Sequence, residues 1–234
     1  MKIFQIYFSD DHKSNLIQGN IFVPYKNLHT TIFLENQVIC DVVKNNLILD
    51  KDYIGFISYK HWMIDFNKKH AGEGSPFCNH SQREFNNDNL KEFITNSNTD
   101  VIVFNSLIPD NVFNLGEALH PGLIELSKLI LDKLKIDSNI LQEKTKHPIY
   151  RNFFAMKKHI LEDYVNSFLL KIFDLVENDQ EIKTLSLSPQ IKYGKSNQHF
   201  TEKTGLEYYP LIVFTLERLI NAYIMNKNLT INSF

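Results

Sequence analysis

Apolar and polar positions along the chain switch repeatedly between a two-residue period and a helical one, which predicts alternating strands and helices. Lys2 to Phe8 alternates as a strand, and the polar stretch Ser9 to Asn20 follows it. Ile32 to Val43 then sets Phe33, Asn36, Gln37, Ile39, Cys40 and Val43 in a helix-like arrangement. Asp52 to Tyr59 is a second strand, ending in the polar and aromatic cluster Lys60, His61 and Trp62. Between His70 and Asn89, Gly72, Gly74, Pro76 and many asparagines read as a flexible insertion. A short helix over Asn89 to Thr95 leads to a β-branched strand at Val101 to Phe104. Leu123, Leu126, Ile130 and Leu134 mark the next helix. His147-Pro148 is a turn, Tyr150 to Met156 a strand, and Ile160, Tyr164, Phe168, Ile172 and Leu175 or Val176 form the stripe of a long amphipathic helix. After a polar segment, Asn178 to Lys203, a last helix over Pro210 to Met225 turns Val213, Leu216, Ile220 and Tyr223 inward. No internal repeat occurs. The alternation predicts an α/β fold with a mostly parallel or mixed central sheet flanked by helices.

Composition narrows the class. The 234 residues, 43% of them hydrophobic, suffice for one large core, so a single domain over 1–234 is the economical reading. The charges, 25 basic against 27 acidic, leave −2 with signs interspersed, and no basic stripe calls for nucleic acid as a partner. Two cysteines, Cys40 and Cys78, are too few for a disulfide framework, which points to a reducing, cytoplasmic compartment. The start MKIFQIYFSDDHK lacks a small-residue cleavage site and reads as a strand, not a signal. Lys171 and Asp174 interrupt the most apolar helical stretch, Phe168 to Val176, so it does not span a bilayer. Peripheral association with the inner face of a membrane stays open.

Chemistry concentrates in few places. Gly116 to Gly122, GEALHPG, sets Glu117 and His120 between the Val101 strand and the Leu123 helix, at the sheet end where α/β proteins bind ligands. A bland reading stands beside this one: Glu117 serves the next helix's N-terminus and His120 merely precedes Pro121. Glu217 and Arg218 interrupt the apolar last helix, as a structural ion pair or as the edge of a cleft. His61, His70, Cys78 and His80 share a window without zinc-site spacing. Asp50-Lys51-Asp52 spells a metal-binding Asp-x-Asp but precedes its strand, and Asn105 and Ser106 stand where such carboxylates belong. Gly72-Glu-Gly74-Ser lacks the lysine of a phosphate loop, and no G-x-S-x-G hydrolase elbow occurs.

Five segments taken together carry a resemblance: IFLENQVI (32–39), DYIGFISYK (52–60), GEALHPG (116–122), NFFAMKK (152–158), and TEKTGLEYYP with LERLINAYI (201–224). In this order they resemble a family of bacterial glycosyltransferase-like proteins encoded with capsule or lipopolysaccharide genes. The resemblance implies a GT-A-like nucleotide-sugar fold, with a donor-binding half over 1–115 and an acceptor half over 116–234. It implies transfer of a sugar from a nucleotide-sugar donor to a glycan or lipid-linked glycan acceptor in surface polysaccharide synthesis. By position it maps the site to Tyr59, Lys60, Glu117, His120, Asn152, Glu217 and Arg218, to which Tyr208 is added as a candidate. On that mapping Lys60 offsets diphosphate charge. Glu117 or Glu217 takes the acceptor hydroxyl's proton, and Asn152 with Tyr208 holds sugar hydroxyls. A divalent Mg²⁺ or Mn²⁺ remains open without an Asp-x-Asp at the expected strand end; a metal-free reaction requires Lys60, His120 or Arg218 at the leaving group. The alternative is a non-catalytic carbohydrate-binding or assembly protein on the same scaffold.

Overall fold

The computed structural model describes residues 1–47, 52–60, 86–104, 111–145, 147–190 and 198–234. The His61, His70, Cys78 and His80 window, the Gly72 to Gly74 stretch, Asp50-Lys51, and Asn105 with Ser106 lie outside the described residues.

The core is a mixed six-stranded sheet in the order β2-β1-β3-β5-β4-β6. Its strands are β1 (Lys2–Tyr7), β2 (Phe22–Lys26), β3 (Tyr53–Ser58), β4 (Val101–Val103), β5 (Phe154–Lys157) and β6 (Ile231–Ser233). β1 pairs in parallel with β2 and β3, and β4 with β6, whereas β5 runs antiparallel between β3 and β4. The helices are α1 (Glu35–Lys44), α2 (Asn87–Thr95), α3 (Val112–Leu119), α4 (Leu123–Lys133), α5 (Lys158–Asp163), α6 (Leu170–Asn178), α7 (Gln180–Ser186), α8 (Gln198–Thr204) and α9 (Leu211–Asn226). A π-helical turn, Tyr164–Leu169, joins α5 to α6.

Strand alternation divides the interior into two layers. Phe4, Ile6, Ile54, Phe56, Val101, Val103, Phe154 and Met156 face a large cluster shared with α1, α4, α6 and α9. Ile3, Tyr53, Ile57, Ile102 and Ala155 face a smaller one closed by Leu90 and Ile94 of α2. Burial on both faces explains why β1 and β3 read as nearly continuous apolar runs. Gln5, the polar exception in β1, is fully buried, and its amide donates to Ile17 O (2.9 Å) and accepts from Ile17 N (2.8 Å). It thereby ties the loop after β1 to the sheet.

Several elements depart from the sequence reading; the polar segment Asn178 to Lys203 holds α7 and most of α8. The Ser9 to Asn20 loop leads not to a helix but to β2, whose Pro24 is tolerated because β2 is an edge strand. β6 forms the opposite edge, locked by Asp100, which accepts from the backbone N (3.0 Å) and hydroxyl (2.8 Å) of Thr230 and pairs with Lys157 (3.1 Å). Residues 112–119, expected in a strand-to-helix loop, form α3. Asn111 caps it, its side chain accepting from Phe113 N (2.8 Å) and Asn114 N (2.9 Å).

Helix α9 packs into the large cluster against the sheet. Of its sixteen residues twelve are buried, so it lies in the interior and not on the surface. Asn221 accepts from Ile149 N (2.7 Å) and donates to Ile149 O (3.0 Å), fixing the segment that leads into β5. Asn221→Leu should orphan both backbone groups, at about 1–3 kcal/mol each. Urea unfolding of the variant measures that loss.

Candidate functional site

The parallel strands β1 and β3 sit side by side, but β1 leads outward to β2 and the chain then returns to β3 on the other flank. The crevice at such a reversal, outside the strands' carboxyl ends, is where open α/β sheets bind ligands. At this edge lie Phe8 and His12 after β1, Asn27 after β2, and Tyr59 and Lys60 after β3. Because β5 is antiparallel, with Phe154 paired to both Phe56 and Val103, the residues before it, Tyr150 to Asn152, arrive at the same edge. One connection the sequence reading missed, the left-handed backbone at Arg151 (φ 59°) and Asn152 (φ 55°), turns the chain into β5 there.

Two carboxylates and three cations converge. Glu35 opens α1, after Leu34 with φ 47° and ψ −120°. A bulky residue at positive φ stores roughly 1–3 kcal/mol of strain and persists only where its surroundings hold it. Here Asn27 donates to Leu34 O (3.1 Å), and the Leu34 side chain packs with Phe200 and Val213. Burial pushes the Glu35 carboxyl up to about 7; the charge of Glu217 adds to the rise, and Lys60 opposes it. Glu217 is also raised by burial, against the pull of Arg218, Arg151 and Lys60. Glu35 had no separate signal in the sequence beyond its place in the IFLENQVI segment.

Arg218 is 1% exposed. One guanidinium nitrogen donates to Phe214 O (2.7 Å) and lies 3.6 Å from the Glu217 carboxylate, and the guanidinium sits 5.4 Å from the Tyr150 ring. Its Nε has no hydrogen-bond partner among the described residues. Gly116 makes the room: a Cβ there would stand 2.6 Å from Arg218 Nε. Arg151 lies over the same Tyr150 ring at 5.1 Å. Asn152 is buried with its Oδ1 unpartnered.

An aromatic group borders these charges. His12 stacks on Tyr59 at 3.6 Å with planes 4° apart, Phe8 meets Tyr59 edge-on at 6.2 Å, and Lys60 Nζ lies 5.5 Å from the Tyr59 ring. Lys203 bonds Asn27 O and lies 5.5 Å from the Phe8 ring. Tyr208 is partly buried between α8 and α9.

His120 and Glu117 belong to the neighbouring helix pair. His120 is buried and stacked on Phe214 at 3.6 Å, beside Arg218. Burial, then the Arg218 charge, lowers it to about 4, so at neutral pH it brings no positive charge to the edge. Its Nδ1 has no partner among the described residues. Glu117 lies in α3 and not in a loop, and its two oxygens accept from Gly122 N (2.9 Å) and Ile124 N (2.8 Å) at the start of α4. The structure thus brings His120 and Glu217 together around Arg218 and commits the Glu117 carboxylate to a helix N-terminus. Among the described residues, no three His, Cys, Asp or Glu side chains are grouped to hold a metal, and no helix is long and apolar enough to cross a membrane. Cys40 is buried in α1, its thiol pushed up to about 12 by burial.

Glu117→Ala should cost about 0.5–2 kcal/mol, the scale of a lost helix cap, measured by denaturant unfolding. The depressed His120 gives a pH signature. Its stabilising contribution is complete above its ordinary value of 6.5 and is lost as pH falls toward about 4, because only the unfolded chain accepts the proton readily. The Tm advantage of wild type over His120→Gln should therefore shrink across that window, whatever constant offset the lost Phe214 stacking adds.

Comparison with protein-family models, with curated proteins and with solved structures finds no match.

Proposed function

We propose that this chain is a GT-A-like glycosyltransferase that moves a sugar from a nucleoside-diphosphate sugar to a glycan acceptor in surface polysaccharide synthesis. The observation that supports it is the convergence of Lys60, Arg151 and Arg218 with the carboxylates Glu35 and Glu217 at the strand ends where the sheet order reverses. Sugar transfer needs positive charge where the diphosphate departs and a base where the acceptor hydroxyl is deprotonated.

Lys60, exposed at the end of β3, is placed to meet a diphosphate arriving from solvent. Arg218 is preorganised: its guanidinium is held by Phe214 O and Glu217, so little reorganisation accompanies charge development. The Tyr59, His12 and Phe8 group offers a flat face, and Asn152 offers a buried acceptor, to the rest of the donor. Glu217 remains at this edge for the acceptor side. Glu117 supports it from behind by fixing α4 against α3. No step here is routed through a metal; a Mn²⁺ arm of the assay decides that requirement.

Thermal shift with UDP-, GDP- and dTDP-sugars, each with and without Mn²⁺, tests donor binding, because a ligand bound only by the folded state raises its Tm. At least one donor should stabilise the protein. Lys60→Ala should weaken that donor by roughly 1–3 kcal/mol, the scale of a charge-assisted hydrogen bond, as read by calorimetry. A donor bound without any turnover favours a carbohydrate-binding or assembly protein instead.

A further inference from the structure

Lys203 is an ammonium brought to the strand ends from a distant part of the chain. It stands in α8, yet its Nζ donates to the carbonyl of Asn27, after β2, and lies 5.5 Å from the ring of Phe8, after β1. The acceptor is itself fixed. Asn27 N donates to Tyr7 O (2.8 Å), its side-chain amide donates to Leu34 O (3.1 Å), and its Oδ1 accepts from His29 N (2.9 Å). The lysine head is therefore anchored to a rigid point of the crevice.

What anchors it is a neutral carbonyl, which leaves its charge unmatched. Asp10 is taken by Lys13 (2.9 Å) and Lys26 (3.0 Å), and among the described residues no carboxylate lies within ion-pair distance of Lys203. Lys26 adds a like charge nearby, and burial acts in the same direction as that neighbour. A partly buried cation without a counter-charge is costly, and an arriving anion relieves that cost. An ammonium has three donors, of which Asn27 O takes one. Phe8 also meets Tyr59 edge-on at 6.2 Å, and the Lys60 ammonium lies 5.5 Å from the Tyr59 ring. Each ring of this pair, at the carboxyl ends of the neighbouring parallel strands β1 and β3, is thus accompanied by one lysine. Two ammonium groups on adjoining rings fit an anion whose charge is spread over two linked centres. Lysine is a compact point charge suited to tetrahedral phosphoryl oxygens, whereas a single planar carboxylate is matched better by a guanidinium fork.

Resting on the glycosyltransferase reading, we infer that Lys203 is a second donor-binding residue, which with Lys60 takes the pyrophosphate group of the nucleoside-diphosphate sugar across the Phe8–Tyr59 pair. Its part is to hold the donor in place; it moves no proton. The donor site then draws on both stretches of the chain, because Lys203 comes from the 116–234 half and Phe8, Asn27, Tyr59 and Lys60 from the 1–115 half.

The test is calorimetry on the full chain with UDP, GDP and dTDP, their monophosphates and inorganic pyrophosphate, each at low and at high salt. Lys203→Met keeps the apolar stem and removes the charge. It should weaken the nucleoside diphosphate that binds by roughly 10- to 100-fold, weaken the matching monophosphate less, and flatten the salt dependence of binding. Lys203→Arg should restore most of the affinity. The ligand-free Tm of Lys203→Met should hold or rise, since an unmatched cation is gone; a lysine that merely braces Asn27 would lower the Tm and leave the salt dependence as it was. Lys203→Met that binds the diphosphate within about twofold of wild type, or with the wild-type salt dependence, overturns the assignment of Lys203 and leaves the glycosyltransferase reading standing. Binding of pyrophosphate that depends on Lys203, with no nucleotide bound, upholds Lys203 as a pyrophosphate ligand and overturns the glycosyltransferase reading. Wild type that binds none of the probes overturns both.

Discussion

A guanidinium buried in the middle of an apolar helix sets the terms for the whole strand-end crevice. A charge withdrawn from water is tolerated only with close compensation, and Arg218 receives it from several elements at once. Phe214 O accepts from it one turn back along α9, Glu217 lies beside it, and the Tyr150 ring offers its face. Gly116 is left without a side chain so that the guanidinium fits. His120, pressed on Phe214 next to this charge, is held neutral. Helices α3 and α9 and the segment before β5 are therefore positioned by one residue's needs, as well as by the packing of their apolar faces.

The same compensation shapes the electrostatics of the crevice. Cations and carboxylates are brought to one edge by elements far apart in the chain: Lys60 from the end of β3, Arg151 from the turn into β5, Glu35 from the start of α1, and Glu217 from α9. Antiparallel β5 is the topological device that makes this happen, since a parallel strand in its place would deliver Arg151 and Asn152 to the opposite edge. The Leu34 backbone and the paired left-handed residues Arg151 and Asn152 mark the places where the chain accepts strain to bring side chains to this edge.

Much of the architecture was legible in the order of residues. β1, β3, α1, the long helix through Tyr164 and Phe168, and α9 carry strong periodicity, and periodicity is a local property that survives without knowledge of neighbours. β2 and β6 were not legible because edge strands are short and need satisfy only one neighbour; Pro24 further disguised β2. The helix over Val112–Leu119 was obscured by Gly116, Pro121 and Gly122, which read as a loop until Gly116 is seen making room for Arg218. Of the site, Lys60, Glu217 and Arg218 were marked by their places at a strand end or within an apolar stripe, and Asn152 only by the family resemblance; the structure sets the four at one edge.

The sequence by itself determined the α/β alternation, the buried faces of the major elements and the presence of ionisable groups in apolar surroundings, because each follows from residue type and spacing over a few turns. Tertiary structure alone decided which of those groups meet. Glu117 and Glu35 are both carboxylates near helix starts, yet one is consumed by the backbone N–H groups of α4, while the other opens α1 where the charges of Glu217 and Lys60 also bear on it. The difference arises from the direction of β5, the strand order and the packing of α9, which join residues more than a hundred positions apart and leave no trace in local spacing.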